Sequence, residues 1–335
     1  MTNLIYNIQI MLLPIVKLII SCVVIFIGTE ILVNSSVALS NKLMIPRVVV
    51  GTLIVSLATS LPELFVSLKS VSLGFDEFAL GNIIGSNISN IGLVLGIMSL
   101  ISTLTLLKHE IIWCFTPLLI VSLIFLLSIY VLKSFDIIFG LFCISLLFIY
   151  SIIILNKKGK IINELEFDGK QNIIIFGCCF KITKIYKYVI FLTLGSLFLY
   201  IGTDLLIKSS KNIAEKIGIS DRIISITLVA IGTSLPELFA SIYSVIKSEL
   251  KMAVGNILGS NIFNILAVLG LTSVFNTITI NNELRFDSLV MMIFTILIML
   301  FFLLSYNSEK KIYYMSRNKG IVLLLFYIGY IIILF

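Results

Sequence analysis

The chain has 335 residues, 59% hydrophobic and only 12% charged, with a mean hydropathy of +1.16. A soluble domain is roughly half apolar and about a quarter charged, so this composition excludes a soluble enzyme or binding module and predicts an all-α integral membrane protein. The formal excess of +7, which would suggest nucleic acid in a soluble chain, reads here as orientation of the loops, and no nucleic-acid partner is expected.

Apolar runs of about 20 residues, each long enough to cross ~30 Å of hydrocarbon, occur at 11–34, 46–70, 77–101, 111–132, 135–155, 186–208, 221–246, 251–274, 286–305 and 320–335. These are ten predicted spans. The first lacks a short apolar core followed by a small-residue cleavage site and runs on through Glu30, so it is expected to be a retained helix. With the N-terminus outside, the inward loops collect Lys42, Arg47, Lys108, seven lysines between 157 and 187, Lys247, Lys251, Lys310, Lys311, Arg317 and Lys319. The outward loops hold Lys133, Lys208, Lys211, Lys216, Arg222 and Arg285, with Lys17 and Lys69 near helix ends. This bias predicts both termini outside, although the 208–222 loop, with four of the outer charges, departs from it. The chain divides into a first five-helix unit at 1–155, a basic cytoplasmic linker at 156–185 and a second five-helix unit at 186–335. The linker holds "NIIIFGCCF", too short to span and expected at the inner surface. Cys22, Cys114, Cys143, Cys178 and Cys179 show no metal-ligand spacing and read as small apolar fillers.

The stretch "ATSLPELFVS" at 58–67 returns as "GTSLPELFAS" at 232–241. At the same offset of 174 residues "GNIIGSNISNIGLVLG" at 81 matches "GNILGSNIFNILAVLG" at 255, and "IGTEILVNSS" at 27 matches "IGTDLLIKSS" at 201. Roughly half the positions between 52 and 100 are identical to their partners. Five crossings per copy is an odd number, so the second copy must enter from the opposite side. Inverted repeats with interrupted helices are a recurring plan of secondary transporters, with ion sites near the midplane. Spans 2, 3, 7 and 8 are the expected broken helices.

On helical spacing Ser56, Thr59, Ser60, Glu63, Ser67 and Ser70 form one polar stripe. The second copy supplies Thr227, Thr233, Ser234, Glu237, Ser241 and Ser244, with Ala230 where the first has Ser56. Pro62 lacks an N–H and so frees the carbonyl of Ala58, and Pro236 does the same for Gly232. Such freed oxygens are tolerated at membrane depth only in protein or along a cavity. The following helix adds Asn82, Ser86 and Asn90 at i, i+4 and i+8, repeated as Asn256, Ser260 and Asn264, while Gly81, Gly85, Gly255 and Gly259 allow close helix approach and weaken the helix. Serine, threonine and glycine alone would read as packing. A carboxylate at the helix centre costs on the order of 3 kcal/mol on insertion scales, and two of them in matched, proline-marked turns point to function.

The donors are all oxygen, which disfavours zinc or copper and suits hard ions such as calcium or sodium. Two glutamates supply up to four carboxylate oxygens, with hydroxyls, carbonyls and waters to complete the roughly 6–8 ligands calcium prefers. Without a cation, two bare carboxylates would remain in a low-dielectric region. If only loaded forms switch sides, calcium leaves only when sodium ions or protons replace it.

The paired "GTSLPEL" and "GNILGSNIFNI" motifs, occurring twice across essentially the whole chain, resemble the alpha repeats of the sodium/calcium exchanger (cation/calcium antiporter) family, prokaryotic type. The "GNxxE" pattern associated with proton/calcium relatives is not seen. The resemblance implies that Glu63 and Glu237 bind calcium and sodium, that Thr59, Ser60, Thr233 and Ser234 line the ion sites, and that Ser86, Asn90, Ser260 and Asn264 complete them. It further implies several sodium ions per calcium, and sliding of the first and sixth helices past a more rigid core. Ca2+ and Na+ would be substrates in a bacterial or archaeal plasma membrane, with no resident cofactor and no obligatory protein partner. Many relatives, including potassium-dependent exchangers, carry aspartate where this chain has Asn264. That disfavours potassium co-transport and removes proton titration there. Serine 56 against alanine 230 is an asymmetry of the kind that distinguishes sodium sites.

Three other readings stay open on the residues alone: proton/calcium or other divalent exchange on the same fold, a channel lined by the polar stripes, and an intramembrane hydrolase using the glutamates as acid and base. The last has no nucleophile–base pair beside them. Glu30 and Asp204, matched acids, either line an ion pathway or snorkel to the interface. His109 and Trp113 read as interfacial residues, and Asp136 and Asp287 as helix starts.

Overall fold

The structure of the protein, a computed structural model, describes residues 2–156, 173–175, 178–180, 182, 184–216, 232, 234–282, 284–309 and 311–334. Within them the apolar runs form α1 (Thr2–Leu43), α2 (Arg47–Thr59), α3 (Leu61–Ser72), α4 (Asp76–Ile101), α5 (Lys108–Val131), α6 (Ile137–Asn156), α7 (Ile185–Lys216), α8 (Leu235–Ile246), α9 (Leu250–Phe275), α10 (Leu284–Leu303) and α11 (Arg317–Leu334). Eight of these are long and apolar enough to cross a membrane, and α2 with α3 makes a ninth as a pair bent by 43°. The shorter α8 occupies the second half of the predicted 221–246 span, whose first half lies outside the described residues.

α1 and α7 run beyond the predicted ends at 34 and 208, to Leu43 and Lys216. In α1 the polar residues just past residue 34 are served by the helix itself: Ser35 and Ser36 are buried and donate to the Ile31 and Leu32 carbonyls at 2.5 and 2.8 Å. A satisfied hydroxyl does not require the helix to end.

Short antiparallel strands that helical periodicity did not announce tie the connections together. β1 (Leu104–Leu107) pairs with β7 (Ile312–Met315), which pairs with β6 (Tyr306–Asn307). β2 (Ser134–Phe135) pairs with β5 (Ile278–Thr279), and in the linker β3 (Ile173–Ile175) pairs with β4 (Cys178–Phe180). Ion pairs join the same loops: Arg47 to Glu249 at 3.1 Å and Lys251 to the buried Glu110 at 2.9 Å. One face therefore gathers Arg47, Lys247, Lys251, β1, β7 and, through Asn34 donating to the Ile174 carbonyl at 2.6 Å, the linker hairpin. This is the basic face. The opposite face joins β2, β5 and Asp76, whose Oδ2 accepts from the Thr279 N–H and hydroxyl at 2.9 and 2.7 Å.

Glycines set the closest contacts. A methyl group at Gly255 would lie 2.3 Å from the Val48 carbonyl oxygen, and one at Gly259 would lie 2.3 Å from that of Thr52. Both numbers rise together, so α2 and α9 run parallel in backbone contact. At the second seam Gly28 meets Leu199 and Gly202 meets Ile25, within 2.5–2.7 Å of a built methyl. One number rises as the other falls, so α1 and α7 are antiparallel.

Gly81 and Gly85 do not act as expected, since no described atom lies within 4 Å of a methyl built there. The expected breaks in spans 3 and 8 are also absent. α4 and α9 are continuous, and each carries one widened π-helical turn, Asn90–Leu95 and Asn264–Leu269. An extra residue per turn keeps nearly every backbone bond while shifting the register of the side chains, which a break would not do.

Candidate functional site

The bend between α2 and α3 is made by Ser60 and Pro62. Ser60 leaves the helix at φ −85°, ψ 4°, still donating its N–H to Ser56 at 2.9 Å, and Pro62 enters the first turn of α3 without an N–H for the Ala58 carbonyl. Ser234 repeats this geometry at φ −84°, ψ 3°, before Pro236. Both turns deliver a glutamate to the protein interior. Glu63 and Glu237 are fully buried, and their carboxylates lie within electrostatic reach of each other.

Hydrogen bonds cross between the copies here. The Ser60 hydroxyl donates to Glu237 Oε1 at 3.1 Å, and Ser260 donates to the same oxygen at 3.5 Å. Thr59 Oγ1 lies 3.3 Å from Asn256 Oδ1, to which it donates, and 3.4 Å from the Ser260 hydroxyl. Asn256 in turn donates to Ser241 at 3.0 Å, and its equivalent Asn82 donates to Ser67 at 3.0 Å and to the Glu63 carbonyl at 3.3 Å. Ser56 is buried and donates to the Thr52 carbonyl, and Ser86 is also buried. Ala58 is half-buried and Gly232 buried. Thr233, Ala230 and Thr227 lie outside the described residues.

The widened turns start at the asparagines that the sequence singled out. Asn90 donates through Nδ2 to Asn261 Oδ1 at 3.0 Å, and Asn264 donates to Asn87 Oδ1 at 3.3 Å. Asn261 closes the set by donating to the Asn87 carbonyl at 3.2 Å, and Asn87 spends its own amide on Met291 Sδ at 3.5 Å. Asn87 and Asn261 were missed in the sequence reading, although both copies carry them inside "GSNI". They hold the amide nitrogens of Asn90 and Asn264, which leaves the two Oδ1 atoms buried with no hydrogen-bond partner among the described residues.

Glu63 Oε1 and Oε2, Glu237 Oε2 and the Ser234 hydroxyl are buried and unpartnered in the same sense. A buried polar atom without a partner costs roughly 1–3 kcal/mol, and an uncompensated carboxylate more. The donors are hard oxygens and, among the described residues, no group of three His, Cys, Asp or Glu gathers anywhere. Two carboxylates with amide and hydroxyl oxygens suit a hard cation, and a divalent one balances both charges.

A family model described as sodium/calcium exchanger protein matches residues 13–156 and 187–335. The chain is similar to putative antiporter CaxA of Alkalimonas amylolytica, at 32% identity over 337 residues, 97% of this chain and 99% of that one. It is 28% identical to sodium/calcium exchanger MaX1 of Methanosarcina acetivorans over 347 residues, covering 92% and 94% of the two chains. Among solved structures, that of the sodium-calcium exchanger NCX_Mj soaked with 2.5 mM Na+ and 10 mM Sr2+ matches with a TM-score of 0.76 at 28% identity, over 95% of this chain and 97% of that one. Composition, buried oxygen cluster and matches across both halves agree: the chain is a multi-pass membrane protein that belongs to the sodium/calcium exchanger protein family.

Proposed function

We propose that the protein is a secondary active antiporter that exchanges Na+ for Ca2+ by alternating access, with the ions bound near the membrane midplane. One observation carries this reading: Ser60 of the first copy donates to Glu237 of the second, which brings both acidic turns into one buried cluster. Glu63 and Glu237 supply the carboxylates. Thr59, Ser60, Thr233, Ser234, Ser86 and Ser260 supply hydroxyls, Asn90 and Asn264 amide oxygens, and Ala58 and Gly232 freed carbonyls. Ser56 against Ala230 makes the two sides of the cluster unequal.

The proposed layout is ten helices in two inverted five-helix repeats, 1–155 and 186–335, joined by a cytoplasmic linker at 156–185. The parallel contact of α2 with α9 supports it, because α8 and α9 form a hairpin bonded from Asn256 back to Ser241. α2 therefore opposes α8, the equivalent of its continuation α3. The family match also leaves out 157–186. The basic face is the cytoplasmic one, both termini lie outside, and the membrane is the plasma membrane.

Exchange follows from the cost of the bare site. Two unbalanced carboxylates buried at several kcal/mol each make the unloaded form the one that does not switch, so calcium release requires sodium to enter. The test is calcium-45 uptake into proteoliposomes loaded with sodium, beside potassium- and choline-loaded controls and a separate arm with an imposed pH gradient. Uptake that requires internal sodium is expected. Uptake driven only by the pH gradient would replace this reading with H+/Ca2+ exchange on the same fold, and uptake independent of any counter-ion would indicate a channel.

A further inference from the structure

α1 has two working sides. Ile25, Gly28 and Leu32 face α7, while Phe26, Glu30 and Asn34 follow one another at helical spacing on the side that meets α8. The Phe26 and Tyr243 rings stand edge to face with centroids 6.0 Å apart. The Tyr243 hydroxyl lies beside Glu30 and Asn34, and Glu30 itself is buried, 7% exposed. The phenol oxygen is buried without a hydrogen bond of ordinary geometry. Tyr243 sits six residues beyond Glu237 on α8, about 9 Å along the helix at 1.5 Å per residue, in the direction of Lys247 and the basic face. The buried hydroxyls of Ser241 and Ser244 mark the same stretch.

The second copy does not repeat this arrangement. The equivalents of Glu30 and Tyr243 are Asp204 and Lys69. Asp204 is half-exposed and ion-paired at 2.7 Å with Lys208, one turn along its own helix. Lys69 is exposed. Of these two matched acids, only the one on the basic-face side is kept in the interior with a neutral oxygen beside it, although an intramembrane acid is expensive.

We propose that Glu30 and the Tyr243 hydroxyl form an auxiliary cation site between the central glutamates and the basic face, with no counterpart at the matched positions Asp204 and Lys69. The inference rests on the exchange reading above. The carboxylate lowers the barrier for a partly dehydrated cation entering or leaving from the basic face. The Lys247 ammonium, 5.3 Å from the centre of the Tyr243 ring, repels a cation there and keeps the site shallow, suited to transit rather than storage.

Calcium-45 exchange measured separately from each face, in vesicles whose orientation is fixed by membrane-impermeant labelling, tests this. Glu30→Gln is expected to raise KM for calcium on the basic face about tenfold, with Vmax and the opposite-face KM unchanged, the effect of roughly 1.4 kcal/mol. Glu30→Asp restores most of the affinity. Tyr243→Phe, which keeps the ring contact with Phe26, raises the basic-face KM by about two- to threefold, and Asp204→Asn changes neither face. Should Glu30→Gln fail to fold, Tyr243→Phe carries the same sided comparison. A KM that rises equally on both faces, a fall in Vmax alone, or no change overturns the inference while leaving exchange standing. Absence of wild-type exchange overturns both.

Discussion

The central helices α4 and α9 and the outer pair α1 and α7 invert the rule of soluble proteins. α4 is 78% and α9 83% buried over their most apolar windows, against 28% for each of α1 and α7, yet the central pair is the less apolar. In lipid, apolar side chains gain nothing by turning inward. What gains by burial in protein is polarity: asparagines, serines and carboxylates that hydrocarbon cannot satisfy. The central pair is therefore held by amide and hydroxyl bonds between the copies, and the outer pair by glycine contacts along one seam with lipid on the rest. On the exchange proposal, the polar central pair is where ions would be held and the lipid-facing outer pair is what would move.

The largest effects are expected at the buried acids. Glu63→Gln and Glu237→Gln each remove one carboxylate from a fully buried cluster and are expected to reduce calcium exchange by about a hundredfold or more, the equivalent of roughly 3 kcal/mol of cation binding. The proteins should still elute as folded species. Robust transport by both variants would remove the acidic turns of α3 and α8 from the ion path.

Glycine substitutions separate the two seams. Gly259→Ala places a methyl 2.3 Å from the Thr52 carbonyl and 2.8 Å from the Ser56 hydroxyl, where neighbours on both sides are fixed, so a loss of about 1–3 kcal/mol is expected. Gly28→Ala is as tight, 2.5 Å from the Leu199 nitrogen, but α1 and α7 can part toward lipid. We expect less than about 1 kcal/mol there by the overpacking scale, read as thermal melting in detergent, and a larger fall in turnover. Equal melting shifts would show the outer pair to be as rigid as the core.

Asn261→Ala removes the acceptor for Asn90 and the donor to the Asn87 carbonyl. It touches no proposed ligand oxygen directly. The expected result is a rise of about tenfold in KM for calcium, the lower end of what lost support behind a metal ligand costs, with melting nearly unchanged. The smallest effect belongs to the basic face: Arg47→Ala breaks a partly exposed pair with Glu249 and should cost about 1 kcal/mol or less, detected as a small melting shift.

Much of this was legible in the residues. Apolar runs gave the crossing segments because length alone decides whether a helix can span. The offset of 174 gave the duplicated turn, and Pro62 marked where the first copy bends, since a missing N–H acts within one turn of its own position. Glu63 and Glu237 stood out because a carboxylate is costly wherever lipid is the alternative. The amide braces of Asn87 and Asn261 were not legible, because which asparagine holds another depends on a helix arriving from the other half of the chain. Gly81 and Gly255 are the same residue in the same motif, yet a methyl at one meets no described atom and at the other meets the Val48 carbonyl. Short strands of two to four residues leave no periodicity to detect.

Hydropathy, internal identity and backbone chemistry are properties of the chain alone, and they establish a duplicated membrane protein with two proline-marked acids. Packing of the helices settles the rest: Ser60 of one copy reaches Glu237 of the other, α4 and α9 widen rather than break at Asn90 and Asn264, and Glu30 is buried beside Tyr243 while Asp204 pairs outward with Lys208. Equivalent residues acquired different surroundings because a hydrogen bond or an ion pair is set by the distance to a partner, and that distance exists only once distant helices have packed.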